Sequence, residues 1–136
     1  MITLIIGNFD SLLSVAAEKN QIDVIYYLLL KQDQINYKCF ARCSLLYKIV
    51  IPNSVTSICD FAFDNCKLLS EIIIPNSVTN IGSYAFNECS NLAHITITSS
   101  IESIKAGTFK ECKILQEIKI PQSITEIEEL AFQGCE

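Results

Sequence analysis

From residue 35 onward the apolar positions recur every 23 residues, without a gap, over about three quarters of the chain. Phenylalanine stands at Phe40, Phe63, Phe86, Phe109 and Phe132. Isoleucine stands at Ile35, Ile58, Ile81, Ile104 and Ile127, and again in the columns Ile49, Ile72, Ile95, Ile118 and Ile51, Ile74, Ile97, Ile120. Leu46, Leu69, Leu92 and Leu115 form another column, as do Val55, Val78, Ile101 and Ile124. Pro52, Pro75 and Pro121 form a column that Thr98 interrupts. A fixed period of this length is the mark of a stacked repeat. The unit reads L-x-x-I-x-I-P-x-S-V-x-x-I-x-x-x-A-F-x-x-C.

The pattern inside the unit predicts its elements. I-x-I alternates with period two, so it is a short half-buried strand. The proline ends that strand, because it has no N–H for a ladder. Pro-Asn-Ser is a turn signal. The isoleucine after V-x-x starts a second short extended piece. A-F-x-x-C is too short for a long helix and is read as one helical or 3₁₀ turn.

One unit cannot close a core by itself. Burying a large apolar side chain stabilises by about 1.5–3 kcal/mol, while ordering the backbone costs about 1–2 kcal/mol per residue. The units must therefore stack, with equivalent residues forming ladders down the interior and parallel strands ~4.8 Å apart. The predicted fold is a β-rich repeat solenoid over residues 35–136, about four and a half repeats long, preceded by a separate segment over residues 1–34.

That segment lacks the 23-residue period and reads as an α-helical hairpin. Leu12, Leu13, Ala16 and Ala17 suit one helix face, and Val24, Ile25, Leu28 and Leu29 another. Asn20 ends the first helix, since asparagine tolerates the left-handed region. Asp23 lies near the start of the second, where a carboxylate is favourable. A helix pair at this place is expected to cap the open edge of the first coil.

Two resemblances follow from these residues. The run Ile-Ile-Ile-Pro-Asn-Ser-Val-Thr-Asn-Ile-Gly-Ser-Tyr-Ala-Phe-Asn-Glu-Cys over 72–89 resembles the BspA-like leucine-rich repeat. The likeness covers residues 35–136, with departures at Thr98, at Thr108, and at Cys59, Lys105 and Glu128, which stand where one unit has Gly82. These departures are expected to distort turns locally without breaking the stack. Residues 11–36 resemble a single ankyrin repeat through Leu13, Ala16, Ala17, Leu28, Leu29 and Asn36, with Ser-Leu-Leu-Ser for that family's Thr-Pro-Leu-His and Asn20 for its turn glycine. The first resemblance implies a leucine-rich solenoid that binds ligands on its sheet face and sits at a cell surface as an adhesin or antigen. The second implies an interaction module.

Composition narrows the function. Fifteen acidic residues against ten basic give a net charge of −5, which argues against a nucleic-acid binder. The longest apolar run, Val24 to Leu30, is too short for a span of roughly 20 residues. The first ten residues lack a basic region, and Asn8 and Asp10 interrupt their apolar stretch, so they do not read as an export signal. Cytoplasmic placement is therefore expected, with the cell surface as the alternative. Glu136 directly follows a ladder cysteine with no cap in the sequence, which reads as a truncated product, a missing segment, or an edge used for pairing and self-association.

Seven cysteines, an odd number, argue against a disulfide scaffold. Cys43, Cys66, Cys89, Cys112 and Cys135 keep the 23-residue period. Zinc sites use closely spaced pairs, so these are read as a buried ladder of small apolar groups. Cys39-x₃-Cys43 has a metal-like spacing but no second pair. No metal, cofactor or glycine-rich phosphate loop is expected, and Glu126, Glu128 and Glu129 read as a solvated face. His94, the one histidine, falls on an outward strand position with no nucleophile and orienting acid aligned beside it, so catalysis is not expected.

The outward strand positions remain. They are Tyr47, Lys48 and Val50; Ser70, Glu71 and Ile73; Ala93, His94 and Thr96; Gln116, Glu117 and Lys119. One reading is an ordinary solvated sheet. The other is a face that binds a protein partner, which would account for Tyr47, Val50 and Ile73 being left outside. The overall expectation is a non-catalytic protein–protein interaction module.

Overall fold

The computed structural model describes residues 9–98 and 100–136. The sequence reading of the first ten residues concerns, up to residue 8, a stretch outside them. Each coil has three sides. The wide side is a parallel sheet of β3 (Glu71–Ile74), β5 (His94–Ile97) and β7 (Glu117–Ile118), in that order, joined by a bridge from Lys48 to Glu71. The narrow side is a two-residue parallel ladder of β1 (Gln34–Ile35), β2 (Ser57–Ile58) and β4 (Asn80–Ile81), resumed by β6 (Ser103–Ile104) and β8 (Glu126–Ile127). Paired strands align residues one repeat apart: Ile72 with Ile95, Ile95 with Ile118, and Ile35 with Ile58 and then Ile81. The period seen in the sequence is therefore the register of the sheets.

The third side differs from the expected helical turn. The A-F-x-x-C segment is a chain of turns in which two residues per coil adopt a left-handed backbone. One column is Lys38, Phe61, Tyr84, Gly107 and Leu130, and the other is Arg42, Asn65, Glu88, Glu111 and Gly134, with φ between 54° and 78°. Only two of these ten are glycine. A left-handed conformation costs an ordinary residue of order 1–3 kcal/mol and persists only where the surroundings hold it.

What holds it is a row of bonds between coils. The N–H groups of Phe61, Phe63 and Asn65 donate to the carbonyls of Ser83, Ala85 and Asn87 at 3.0, 2.8 and 2.7 Å, and the same three columns repeat along the stack. The alternate N–H groups of Ala62, Asp64 and Cys66 donate back three residues within their own coil. A helical turn would aim every N–H along its own axis and leave the neighbouring coil unbonded.

Inside, Phe40, Phe63, Phe86, Phe109 and Phe132 stack ring on ring at 5.2–5.7 Å between centroids. The first four are fully buried with the isoleucine, valine and leucine columns. Gly107 occupies its left-handed column because a Cβ there would strike the ring of Tyr84 from the coil before. The third unit carries the departures from the pattern. Thr98, in place of proline, donates its Oγ1 to the Ile74 carbonyl at 2.6 Å, and buried Thr108, in place of alanine, donates to the Lys105 carbonyl at 2.8 Å. The narrow ladder is interrupted between Ile81 and Ile104 in this unit, where Lys105 Nζ donates to Asn80 Oδ1 at 2.6 Å. The stack continues through it.

At the N-terminal end, α1 (Phe9–Glu18) and α2 (Ile22–Leu29) form the expected hairpin, with Asn20 at φ 52° between them. Leu13, Ala16, Ala17, Ile25 and Leu29 join one core with Ile35, Cys39 and Phe40. The buried stripe is narrower than the sequence suggested. Leu12 and Val24 are exposed, because a coil edge offers width for only one row from each helix. Asn36 donates its amide to the Asp10 carboxylate at 3.0 and 3.1 Å, and Ser54 donates to the Leu29 carbonyl at 3.2 Å, tying the pair to the first coil.

Phe86 sits between two ring neighbours in this core. Phe86→Ala is expected to cost about 3–5 kcal/mol, measured by chemical denaturation. A loss below 1 kcal/mol would place Phe86 outside the core.

Candidate interaction face

The alternation along β3 and β5 sets the face. Glu71 and Ile73, and His94 and Thr96, point outward, while Ile72, Ile74, Ile95 and Ile97 point into the core. Register then brings the outward residues into columns: Lys48 beside Glu71, Glu71 beside His94, His94 beside Glu117, and Ile73 beside Thr96. Tyr47, Ser70, Ala93 and Gln116 lie one residue before these columns. The N–H of Ser70 donates to the Tyr47 carbonyl at 3.2 Å, and that of Ala93 to the Ser70 carbonyl at 3.0 Å. The structure thus gathers the candidate residues on one face, and all are exposed except half-buried Ala93. Val50 and Lys119 continue the column of Ile73 and Thr96 by the same period.

The apolar members cluster at the N-terminal end of the face. Ile73 is 64% exposed, Tyr47 47% and Val50 45%. A shallow depression of about 260 Å³ lies among Val50, Ile73, Pro75 and the strand residues between them. On its rim Lys48 Nζ meets Glu71 Oε1 at 3.2 Å, with both side chains about half exposed. Such a pair contributes little to stability, ~0.2–1 kcal/mol, so its main effect is to fix a cation and an anion beside the apolar patch. The other end of the face, Gln116, Glu117 and Lys119, is polar.

A second surface row was not foreseen. Tyr37, Phe61 and Tyr84 form an outer aromatic ladder, with Phe61 and Tyr84 stacked at 5.1 Å and Tyr37 edge-on to Phe61 at 6.0 Å. Lys38 Nζ lies over the rings of both Tyr37 and Phe61, at 5.3 and 5.7 Å. Phe61 and Tyr84 share a 23-residue column, so the sequence held the signal. Their ring faces are spent on each other and on the backbone at Gly107, which makes this row a clamp between coils. His94 has carboxylates on both sides in register, yet no group of three potential ligands among the described residues is placed to hold a metal ion.

The repeat pattern known as the BspA type leucine rich repeat region matches residues 31–136 in six copies. The chain belongs to the BspA-type leucine-rich repeat family. Its fold is similar to that of a leucine-rich repeat protein from Bacteroides ovatus ATCC 8483, at 34% identity and a TM-score of 0.71 over 74% of this chain. The chain spans 26% of that protein's length. It is also similar to a leucine rich cell surface protein from Faecalibacterium prausnitzii A2-165, at 21% identity and a TM-score of 0.46, covering 75% of this chain and 48% of that one. A third likeness is to a leucine-rich repeat protein from Eubacterium ventriosum ATCC 27560, at 27% identity and a TM-score of 0.43, covering 76% of this chain and 40% of that one. No curated protein sequence matches the chain.

In this BspA-type stack the cysteines are part of the scaffold. All seven are thiols. Cys66, Cys89, Cys112 and Cys135 each reach back one coil, donating S–H to the carbonyls of Phe40, Phe63, Phe86 and Phe109 at 3.0–3.2 Å. The bond needs the protonated sulfur. Burial pushes the Cys43 thiol from the ordinary 9.0 up to about 11 and Cys112 up to about 12, and it raises Cys66 and Cys89 as well. Folding therefore favours the proton-bearing form. The associated stability is complete below pH 9, declines as unfolded thiols ionise above it, and is lost as pH passes the folded values near 11–12. The midpoint of thermal unfolding is expected to be flat from pH 7 to about 8.5 and to fall steadily above 9. At pH 8 iodoacetamide is expected to label half-exposed Cys59 and Cys135 well before the buried Cys66, Cys89 and Cys112, as read by peptide mass spectrometry. Equal labelling of all seven would contradict the ladder.

Proposed function

We infer that this chain is a non-catalytic protein-interaction module that holds a protein partner on the wide-sheet face. The carrying observation is the exposed cluster of Tyr47, Val50 and Ile73 beside the Lys48–Glu71 pair. Interface cores favour such groupings: apolar and aromatic side chains on a rigid support, with charges at the rim. The stacked sheet supplies the rigidity: Ile73 and Glu71 stand on β3, paired to β5 on one side and bridged to Lys48 of the first coil on the other.

The domain reading that accompanies this is a helical cap over 1–34 and a solenoid over 35–136. The cap is read as a single ankyrin-like unit, supported by Leu13, Ala16, Ala17 and Leu29 packing as one layer on the first coil. The partner surface then belongs to the solenoid alone. An intracellular adaptor is favoured over a cell-surface adhesin. Seven free thiols, several aligned in file, suit a reducing compartment. Among the described residues no helix is long and apolar enough to cross a membrane.

The double variant Tyr47→Ser, Ile73→Ser removes the apolar cluster without touching the core. Affinity purification from the native cell, followed by mass spectrometry, is expected to recover a partner with the parent chain and lose it by tenfold or more with the double variant, at an unchanged melting temperature. The same partner recovered equally by both chains would contradict the assignment of the face.

A further inference from the structure

The ten basic residues are unevenly employed. Lys31 and Lys38 lie over the rings of Tyr27 and Tyr37, Lys48 pairs with Glu71, and Lys105 donates to Asn80. Three others, Lys67, Lys110 and Lys113, line one cleft of about 420 Å³ together with Ser90. Their ammonium groups have no partner among the described residues. The cleft lies where the turn side gives way to the wide sheet, and it shares no residue with the depression at Val50 and Ile73.

The repeat itself builds this cleft. Lys67, Ser90 and Lys113 each follow a ladder cysteine, Cys66, Cys89 and Cys112. They therefore share one column, with Ser90 a single coil, ~4.8 Å, from the lysine on either side. Lys110 stands three residues before Lys113, across the left-handed Glu111. Ser90 is half-buried, and its hydroxyl makes no hydrogen bond among the described residues. Glu88 and Glu111 also line the cleft, yet neither carboxylate pairs with a lysine. The Glu111 carboxylate is turned to the next coil, where it occupies the space beside Gly134. Three like charges thus surround an unengaged hydroxyl, in a chain whose net charge is −5.

We propose that this cleft binds a phosphate monoester, with the phosphate seated over Ser90 between Lys67 and Lys113 and Lys110 as the third cation. Hydrogen bonds between ionised partners are about twice as strong as neutral ones, and lysine serves phosphate as a point charge on a flexible stem. Those stems let ammonium groups from neighbouring coils converge on one anion. A phosphate monoester brings ~1.5–2 negative charges and three strong acceptor oxygens at neutral pH, which match three ammonium groups and a hydroxyl. A longer polyanion such as a nucleic acid fits poorly, because its further phosphates meet Glu88 and an acidic surface. The group comes from a soluble phosphorylated metabolite or from a phosphoserine in a protein segment, and the cleft recognises the chemistry common to both.

The probes are glucose 6-phosphate and a synthetic Gly-Gly-phosphoserine-Gly-Gly peptide, titrated against the isotope-labelled whole chain at constant ionic strength and followed by amide NMR shifts. Saturable shifts at Lys67, Ser90 and Lys113 are expected with at least one of them, and with neither glucose nor the unphosphorylated peptide. The tighter of the two probes identifies the source of the phosphate. Lys67→Gln and Lys113→Gln are each expected to weaken binding about three- to tenfold. Ser90→Asp, which sets a carboxylate between the lysines, is expected to abolish it. Lys119→Gln, on the wide sheet, is expected to leave it unchanged. Lys67 and Lys113 are exposed, so their variants keep the fold, as unshifted sheet amides will report. The proposal is overturned by absence of saturation with both probes, by an equal response to glucose, or by affinities that Lys67→Gln and Lys113→Gln leave unchanged.

Discussion

The structure depends on the hydrogen bonds that run from coil to coil at a constant 23-residue step. On the strand sides they are parallel-sheet bonds directed back to the preceding coil, and on the turn side they are donated forward to the next. This arrangement fixes everything else. It puts each core phenylalanine on the next and sets Cys66, Cys89, Cys112 and Cys135 under the phenylalanine carbonyl one coil earlier. It also stabilises a left-handed backbone at Lys38, Phe61, Tyr84, Glu88 and others that have no intrinsic preference for it. A residue whose local preference is overruled in this way is held by its neighbours, so stability here is a property of contacts between units.

The same constraint shapes the surface. Because every coil repeats its backbone, side chains alone distinguish one part of the wide face from another. The apolar cluster at Tyr47, Val50 and Ile73 gives way to Thr96 and Lys119 along one column, and the charged column runs from Lys48 through Glu71 and His94 to Glu117. A partner on such a face reads a short sequence of side chains presented at strand spacing. At the N-terminal edge of the stack, α1 and α2 pack on the first coil and cover it.

Much of this was legible in the sequence because the determinants are periodic. The 23-residue columns located the core, the register, both strand sides and the outward positions of the face, and Asn20 marked the break between helices. What escaped has physical causes. The A-F-x-x-C segment resembles a helical turn locally, since its alternate N–H groups do bond back three residues. Its left-handed positions carry ordinary residues such as Phe61 and Glu88, so no glycine column announced them. The exposure of Leu12 and Val24 follows from the width of the coil edge beneath them, which no helix pattern contains. The outer Phe61–Tyr84 stack shared the period of the core but not its burial, and periodicity alone does not separate inside from outside.

Amide hydrogen exchange measured residue by residue tests the coil-to-coil bonding most directly, because the turn segment carries no sheet of its own. The N–H groups of Phe63, Phe86 and Phe109 donate to the next coil. Slow exchange at all three, as slow as at the sheet amides, is the result this account predicts. Fast exchange at Phe63 and Phe86, in a chain that otherwise keeps its sheet amides protected, would contradict it.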